Sequence, residues 1–239
     1  MEVIDIESGK QSSIEDDFNY GSNVATAHIQ VRMGFLRKVY GILSLQLIVT
    51  TVTAALFMSS STIKGYVQQS SGCLMLACIL SLGLIVALMV KRHESPTNMY
   101  LLFAFTFVEA YSIGTVVTFY DVDVVIQAFV LTAAVTLALT FYTLQSKRDF
   151  TSWGAGLFSV LWVLIFASIL QLFFQSEVMN LMIAVGGAVL FSLFIIYDTH
   201  LLMHKLSPEE YILASINLYL DIINLFLYIL RILNEAKKR

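Results

Sequence analysis

Charged side chains are scarce in this sequence of 239 residues, since Asp, Glu, Lys and Arg together make up 13% of it. A soluble domain carries about 25% of these residues. Hydrophobic residues instead make up 58% of the chain, and its mean hydropathy is +0.79. These values exclude an ordinary soluble domain and predict an integral membrane protein, for which we expect membrane lipids and no nucleic acid as partners.

Cysteine is scarce as well. Cys73 and Cys78 are the only two, and they lie five residues apart in one apolar run, where helical side chains diverge. We expect small buried hydrophobic side chains rather than a disulfide. The sequence also lacks the residue spacings of a structural metal site or of a recognised catalytic motif, so we expect neither a cofactor nor an enzyme.

A signal peptide is the third absence. The chain opens on a polar, acidic region without a basic start followed by an apolar core. We therefore expect residues 1–32 to form a disordered cytosolic tail. Residues 33–232 are predicted to form one helical membrane domain, and residues 233–239 a basic C-terminal tail.

Long apolar runs occupy most of the remaining chain. A transmembrane helix needs about 20 such residues, and this length is met or approached by Val39–Met58, Cys73–Val90, Met99–Phe119, Val124–Leu144, Ala155–Phe174, Val178–Tyr197 and Tyr211–Leu230. The sequence predicts an all-α integral membrane protein with six or seven transmembrane helices.

The distribution of Lys and Arg predicts the orientation. Basic residues concentrate in the N-terminal region and in alternate loops, whereas the loops on the opposite side contain a single basic residue, Lys64. The positive-inside rule then places the N-terminus in the cytosol. Arg231 and Lys237–Arg239 break the pattern, so the last run either spans the membrane fully or dips in and returns. We favour a full helix because its length is sufficient.

Three carboxylates lie within or at the edge of these apolar runs: Glu109, Asp198 and Asp221. Each costs about 2.5–3.5 kcal/mol at the bilayer centre and is tolerated when it faces a bundle interior or a wet cavity. The pattern predicts an ion or proton site. Glu109 remains open to a second interpretation, as a protonated side chain bonded to Ser or Thr.

Polar neighbours support this interpretation for the last run. Asn217, Asp221 and Asn224 recur at helical spacing on one face, and two amides beside a carboxylate can orient an ion or a shared proton. His200 follows Asp198 by two residues and suits either interfacial packing or pH tuning of that carboxylate.

Two further patterns concern the helices themselves. Ser207–Glu210 resembles a capping box, with Pro208 at the first helical position and Glu210 three residues after Ser207. Ala184 and Ala188, together with Gly186 and Gly187, predict close packing of the sixth run on a neighbouring helix.

Several segments resemble the transmembrane BAX-inhibitor-motif family, and in particular its Golgi anti-apoptotic (Lifeguard) branch. The resemblance extends from Ser13 onward and is carried by Ser13–Tyr20, Phe35–Tyr40, Val117–Val122, Tyr142–Phe150, Phe194–His200, Ser207–Tyr211 and Leu218–Phe226. It implies a helical bundle in which the C-terminal helix is central, enclosed by the other six.

The resemblance also implies a function. Members of the branch form a calcium-permeable leak in Golgi or endoplasmic reticulum membranes, which lowers luminal calcium and blunts apoptosis. Asp198 and Asp221 match the family's paired aspartates, and Glu209 matches an acidic residue tied to ion permeation. Calcium would bind only transiently, and we expect apoptotic regulators or calcium-release channels as partners of a monomer or weak homo-oligomer.

Helical spacing alone does not bring the two aspartates together. With helices ending near Lys205 and beginning at Pro208, Asp198 lies about 10 Å and Asp221 about 20 Å from their shared turn. Tilt or a broken helix must then close the gap. Some family members latch the pair with an Arg on the second helix, but Cys73–Val90 contains no basic residue.

If the carboxyl groups meet, they share one proton and titrate as a unit, which predicts a pH-sensitive calcium leak. A proton-coupled transporter would use buried carboxylates in a similar way. A non-conducting scaffold that binds apoptotic regulators is the third interpretation.

Overall fold

The computed structural model describes residues 29–238, and within this range the chain is helical without a β-strand. A short 3-10 turn, Thr151–Trp153, precedes the sixth helix. The helices are α1 (Ile29–Ser59), α2 (Ser61–Gln69), α3 (Ser71–Lys91), α4 (Thr97–Val117), α5 (Val122–Gln145), α6 (Gly154–Phe174), α7 (Glu177–His204) and α8 (Tyr211–Lys238). The predicted N-terminal tail lies almost entirely outside the described residues.

Within residues 29–238, all helices except the short α2 are long and apolar enough to cross a membrane, which makes seven in this range. The predicted all-α membrane architecture is confirmed. Each predicted run coincides with one helix, but most helices are longer than their run. Helix α1 begins ten residues before Val39, and α8 continues to Lys238, so residues 233–238 extend that helix.

The longer helices have a simple physical reason. The 31 residues of α1 span about 46 Å, whereas the hydrocarbon core of a bilayer is about 30 Å thick. Hydropathy marks only the part of a helix that lies in hydrocarbon. The backbone hydrogen bonds continue into the headgroup region, where charged side chains are tolerated.

Helix α8 lies at the centre of the bundle, as predicted. It packs against α1, α4, α5 and α7, whereas α3 packs mainly on α4, and α6 mainly on α7. Buried side chains run along its length, including Tyr219, Asp221 and Leu230. The enclosure is therefore made mainly by four of the other six long helices, with α3 and α6 in an outer layer.

Large apolar side chains cover the outside of this bundle. On α3 and α6, Leu76, Val163 and Phe173 are all more than 60% exposed. A soluble protein does not expose apolar surface on this scale. Lipid is the environment that suits these faces, which explains why α6 needs little contact with the other helices.

The course of α8 favours a complete crossing over a re-entrant element. At its start, Glu210 lies 3.7 Å from Arg92 in the loop before α4. At its end, Lys237 pairs with Asp121 at 2.8 Å in the loop after α4. Since these loops flank opposite ends of α4, the unbroken α8 runs the full height of the bundle.

The start of α8 differs from the sequence prediction. The helix begins at Tyr211 and not at Pro208, because residues 208–210 form a turn. The Glu210 side chain still accepts a hydrogen bond from the Ser207 backbone N–H at 3.3 Å. One of the two hydrogen bonds of the predicted capping box, from the Ser207 N–H to the Glu210 carboxylate, is thus present. It lies in the turn before α8 and not in the first turn of the helix.

Candidate functional site

Asp198 on α7 and Asp221 on α8 are brought together inside the bundle, with their carboxyl groups close enough to interact. Asp221 is only 6% exposed, and Asp198 is half-buried. The two helices that carry them pack closely along one another. The adjacency implied by the family resemblance is therefore present in this fold.

The later start of α8 removes part of the gap expected from spacing. Counted from the helix ends at His204 and Tyr211, Asp198 lies about 9 Å and Asp221 about 15 Å along its helix. Neither helix is broken. The remaining offset of about 6 Å is taken up by the connector 205–210 and by the reach of the two side chains.

The environment of the pair is short of hydrogen-bond donors. Among the described residues, no N–H or O–H group donates to the buried Oδ2 of Asp221. Two neighbours of Asp198, Thr199 and His200, also hold buried polar atoms without a partner in this part of the chain. A carboxylate only accepts hydrogen bonds, so contact between two carboxyl groups becomes a hydrogen bond when one of them holds a proton.

His200 closes the end of α7 against the loop between α5 and α6. Its Nε2 lies 3.1 Å from Oδ1 of Asp149, and the buried ring of Phe150 meets it edge-on with 5.5 Å between centroids. Hydrogen bonds from the Thr151 hydroxyl and backbone N–H hold the pKa of Asp149 at about 2, and His200 adds to this effect. Asp149 therefore stays ionised at any physiological pH.

Asp149 and Phe150 did not emerge from the sequence as site residues. They belong to Tyr142–Phe150, one of the segments that carry the family resemblance. Their place in that segment was the sequence signal that could have identified them as site residues. Spacing gave no indication that this loop would contact a residue 51 positions away.

Three predicted supporting residues make contacts other than hydrogen bonds to the carboxyl pair. The Asn224 side chain donates to the backbone oxygen of Leu220 at 2.8 Å, and Asn217 lines a cavity of about 40 Å³ between α3 and α8. Glu209 is exposed in the connector before α8. In the part of the chain that the structure covers, the hydrogen bonds of these residues do not involve Asp198 or Asp221.

Glu109 lies at a different interface. Its carboxyl group on α4 accepts a hydrogen bond from the hydroxyl of Ser81 on α3, and the side chain is half-buried. The second sequence interpretation, a protonated Glu109 bonded to Ser or Thr, names such a partner, and both interpretations of Glu109 stay predictions. The structure gives Glu109 a place in the α3–α4 interface and not beside the aspartates.

The opposite face of α8 carries a separate polar layer. Tyr219 is fully buried, and its hydroxyl lies 2.8 Å from that of Thr50 on α1. Gln46, one turn earlier on α1, donates to Thr106 on α4 at 3.2 Å. The sequence gave no signal for Tyr219, because one Tyr in an apolar run has no distinctive pattern.

The aspartate pair is suited to brief contact with a cation and not to firm retention. Calcium prefers six to eight oxygen ligands, and two carboxyl groups supply at most four. Within residues 29–238, no group of three or more His, Cys, Asp or Glu side chains converges on one point. Water would have to complete the coordination.

Comparison with known proteins agrees with this architecture. Residues 32–238 match the family model described as inhibitor of apoptosis-promoting Bax1. The chain is also 58% identical over 229 residues to protein lifeguard 4 of Mus musculus, covering 96% of each chain.

Two further relatives extend the range of organisms. The Golgi anti-apoptotic protein of vaccinia virus (strain Lister) is 57% identical over 228 residues, which covers 95% of this chain and 96% of the viral protein. Bax inhibitor 1 of Schizosaccharomyces pombe is 37% identical over 228 residues, which covers 95% of this chain and 86% of the yeast protein.

Proposed function

Because the chain belongs to the family of inhibitors of apoptosis-promoting Bax1, we propose that it is a calcium-permeable, pH-sensitive leak channel that lowers luminal calcium and so inhibits apoptosis. Its similarity to Golgi anti-apoptotic proteins and its seven apolar helices make it a multi-pass membrane protein of the Golgi. We extend the proposed leak to the endoplasmic reticulum.

The observation that carries the proposal is the contact between Asp198 and Asp221 at the centre of the bundle. Two ionised carboxylates in contact repel one another strongly where water is scarce. One shared proton removes the repulsion, and it ties α7 to α8. The pair then gains and loses that proton as a unit.

Loss of the shared proton changes both the interaction between α7 and α8 and the charge of the site between Asp198 and Asp221. Repulsion favours separation of α7 from α8, and the two carboxylates together offer a doubly anionic oxygen site. Calcium entering this site would keep part of its water shell, because the pair cannot fill its coordination. Weak binding suits a leak, since an ion held tightly does not leave.

Calcium flux through the purified protein tests the proposal. In liposomes loaded with a calcium dye, Asp221→Asn is expected to abolish or sharply reduce flux, because the amide cannot supply the negative charge. Circular dichroism and thermal unfolding should show that the variant remains folded. Undiminished flux in folded Asp221→Asn protein would exclude Asp221 as the ion site.

The same assay separates the rival functions. A proton-coupled transporter would accumulate a solute with saturable kinetics, whereas a leak passes calcium only down its gradient. A non-conducting scaffold would leave liposome permeability unchanged when it is the only protein present. Ser159→Ala is a matched control, because this exposed hydroxyl on α6 bonds only to its own helix backbone among the described residues.

A further inference from the structure

The interface between α7 and α8 has polar groups at two levels, with an apolar stretch between them. On α8, Asp221, Tyr228 and Glu235 follow one another at seven-residue intervals, which places them on one face about 10 Å apart. On α7, Asp198, Phe191 and Asn180 face these levels in reverse order. The aspartate pair lies at one level, and Asn180 contacts Glu235 at the other.

The second level opens to the outside as a polar cleft of about 260 Å³. Its lining includes Gln171, Gln175, Glu177, Asn180, Glu235 and Lys238, and the Lys238 ammonium group pairs with Glu235 at 3.2 Å. Asn180 donates to Glu235 at 3.1 Å and accepts from Arg231. With Glu235 and Asn180 engaged by Lys238 and Arg231, the Glu177 carboxylate and the Gln171 amide oxygen are oxygen groups that a hydrated cation arriving from that side of the membrane can meet.

The apolar stretch between the levels is built around a stacked aromatic pair. The rings of Phe191 and Tyr228 lie 5.8 Å apart between centroids, with 21° between their planes. The Tyr228 ring presses against the backbone of Gly187, where an added Cβ would lie 2.6 Å from three ring atoms. Only glycine leaves room for the ring at this position.

We propose that Tyr228, seated on Gly187 and stacked on Phe191, is the closed barrier between the polar cleft and the aspartate pair. This inference rests on the proposed leak function and adds the position of its gate on the side of the C-terminus. Apolar constrictions stop ions by excluding water. Leu225 is 1% exposed and packs in the same apolar cluster as Tyr228. Helical spacing places it on one face with Asp221 and Tyr228, between the two along α8.

Thiol labelling tests the barrier without measuring calcium. Leu225→Cys provides the reporter in a chain whose exposed native thiols are removed by Cys73→Ala and Cys78→Ala. A membrane-impermeant thiol reagent on the C-terminal side should label this reporter slowly. Tyr228→Ala should raise the labelling rate roughly tenfold, equivalent to a barrier lower by about 1.4 kcal/mol.

Matched variants identify the source of the change. Tyr228→Phe keeps the ring and should label as slowly as the parent. Phe166→Ala removes a lipid-facing aromatic side chain of α6, 59% exposed, and should also have no effect. If Tyr228→Ala protein fails to fold, Tyr228→Leu removes the stacked ring while keeping apolar volume, and it should still accelerate labelling.

Gly187→Ala provides an independent test of the contact between the Tyr228 ring and Gly187. Its methyl group should displace the ring and speed labelling, and in Gly187→Ala/Tyr228→Ala the extra methyl should fit without further loss of thermal stability. Equal labelling rates in folded Tyr228→Ala, Tyr228→Leu and Phe166→Ala would overturn the barrier.

Calcium flux then separates this inference from the function on which it rests. Tyr228→Ala should increase flux in liposomes, and adding Asp221→Asn should remove the increase. Faster labelling with no calcium flux in any variant would support the Tyr228 barrier and refute the calcium leak. Flux that depends on Asp221 but not on Tyr228, with unchanged labelling, would refute the barrier alone.

Discussion

At the scale of single residues, the Asp198–Asp221 contact gives each carboxyl group a distinct test. Asp198→Asn keeps the Asp221 carboxyl group but removes the partner with which it shares a proton. Parent protein should conduct more calcium as the pH rises, because the shared proton is lost and the pair becomes doubly anionic. Asp198→Asn should flatten this profile in liposome flux measured from mildly acidic to neutral pH.

Asp149→Asn controls for a charge outside the pair, on the loop that contacts His200. Asp149 has a pKa of about 2, well below its usual value, so it holds no proton across the tested range. Its replacement is expected to preserve the shape of the pH profile. A profile flattened by Asp149→Asn and retained in Asp198→Asn would contradict the shared proton.

Tyr219 allows a second prediction at this scale. Tyr219→Phe removes the hydrogen bond to Thr50, but the Thr50 hydroxyl still donates to the backbone oxygen of Gln46 at 2.9 Å. No buried donor is left without a partner, so the expected loss of stability is about 1 kcal/mol. Thermal unfolding in detergent measures it.

The matched variant for Tyr219 removes the ring. Tyr219→Ala also loses the edge-on contact with Phe105, 6.1 Å between centroids, and creates a cavity in the core. A loss of about 3–5 kcal/mol is expected. Similar losses for the Phe and Ala variants would show that the hydroxyl and not the ring stabilises this layer.

At the scale of helices, the connector before α8 carries two adjacent glutamates with different surroundings. Glu210 accepts from the Ser207 N–H and lies beside Arg92, whereas Glu209 is exposed. Glu210→Ala should lower stability by about 0.5–2 kcal/mol, as the loss of a capping group does. Glu209→Ala is the comparison. Its stability, measured by thermal unfolding, should change by less than about 0.5 kcal/mol.

Sequence patterns located the helices well and their ends less well. The seven apolar runs found every long helix, because hydrocarbon imposes the same requirement on each of them. They gave no information on the interfacial turns, where α1 and α8 continue for two or more turns beyond the predicted runs. There the helix is decided by backbone hydrogen bonds and local contacts, which hydropathy does not record.

At the scale of the whole molecule, the position of the C-terminus is the clearest test of the fold. Helix α8 ends beside the loop after α4, on the face opposite to the loops rich in Lys and Arg. Hydrogen bonding to Lys237 lowers the pKa of Asp121, so the basic end of α8 meets an acidic partner there. This pairing offers a reason for the departure from the positive-inside rule.

Epitope tags at the two termini should therefore lie on opposite sides of the Golgi membrane. Antibody should reach an N-terminal tag after selective permeabilisation of the plasma membrane. It should reach a C-terminal tag only once the Golgi membrane is also opened. Both tags accessible in the first condition would support the re-entrant alternative and contradict a complete crossing by α8.

The meeting of Asp198 with Asp221 shows what sequence alone leaves open at this scale. Each carboxylate was identifiable from its apolar surroundings, yet linear spacing placed the two at different depths. Their contact depends on where α8 begins and on the length of the connector, and both are settled by packing in three dimensions. Tyr228 illustrates the same point, because only the fold places its ring on Gly187.

Asp198 and Asp221 lie on α7 and α8, which a ribosome makes after the other described helices. A nascent chain that stops before α8 carries one carboxylate of the pair and lacks the helix against which α1, α4, α5 and α7 pack. Premature termination should therefore give an inert product that is open to degradation, and not an unregulated hole in the membrane.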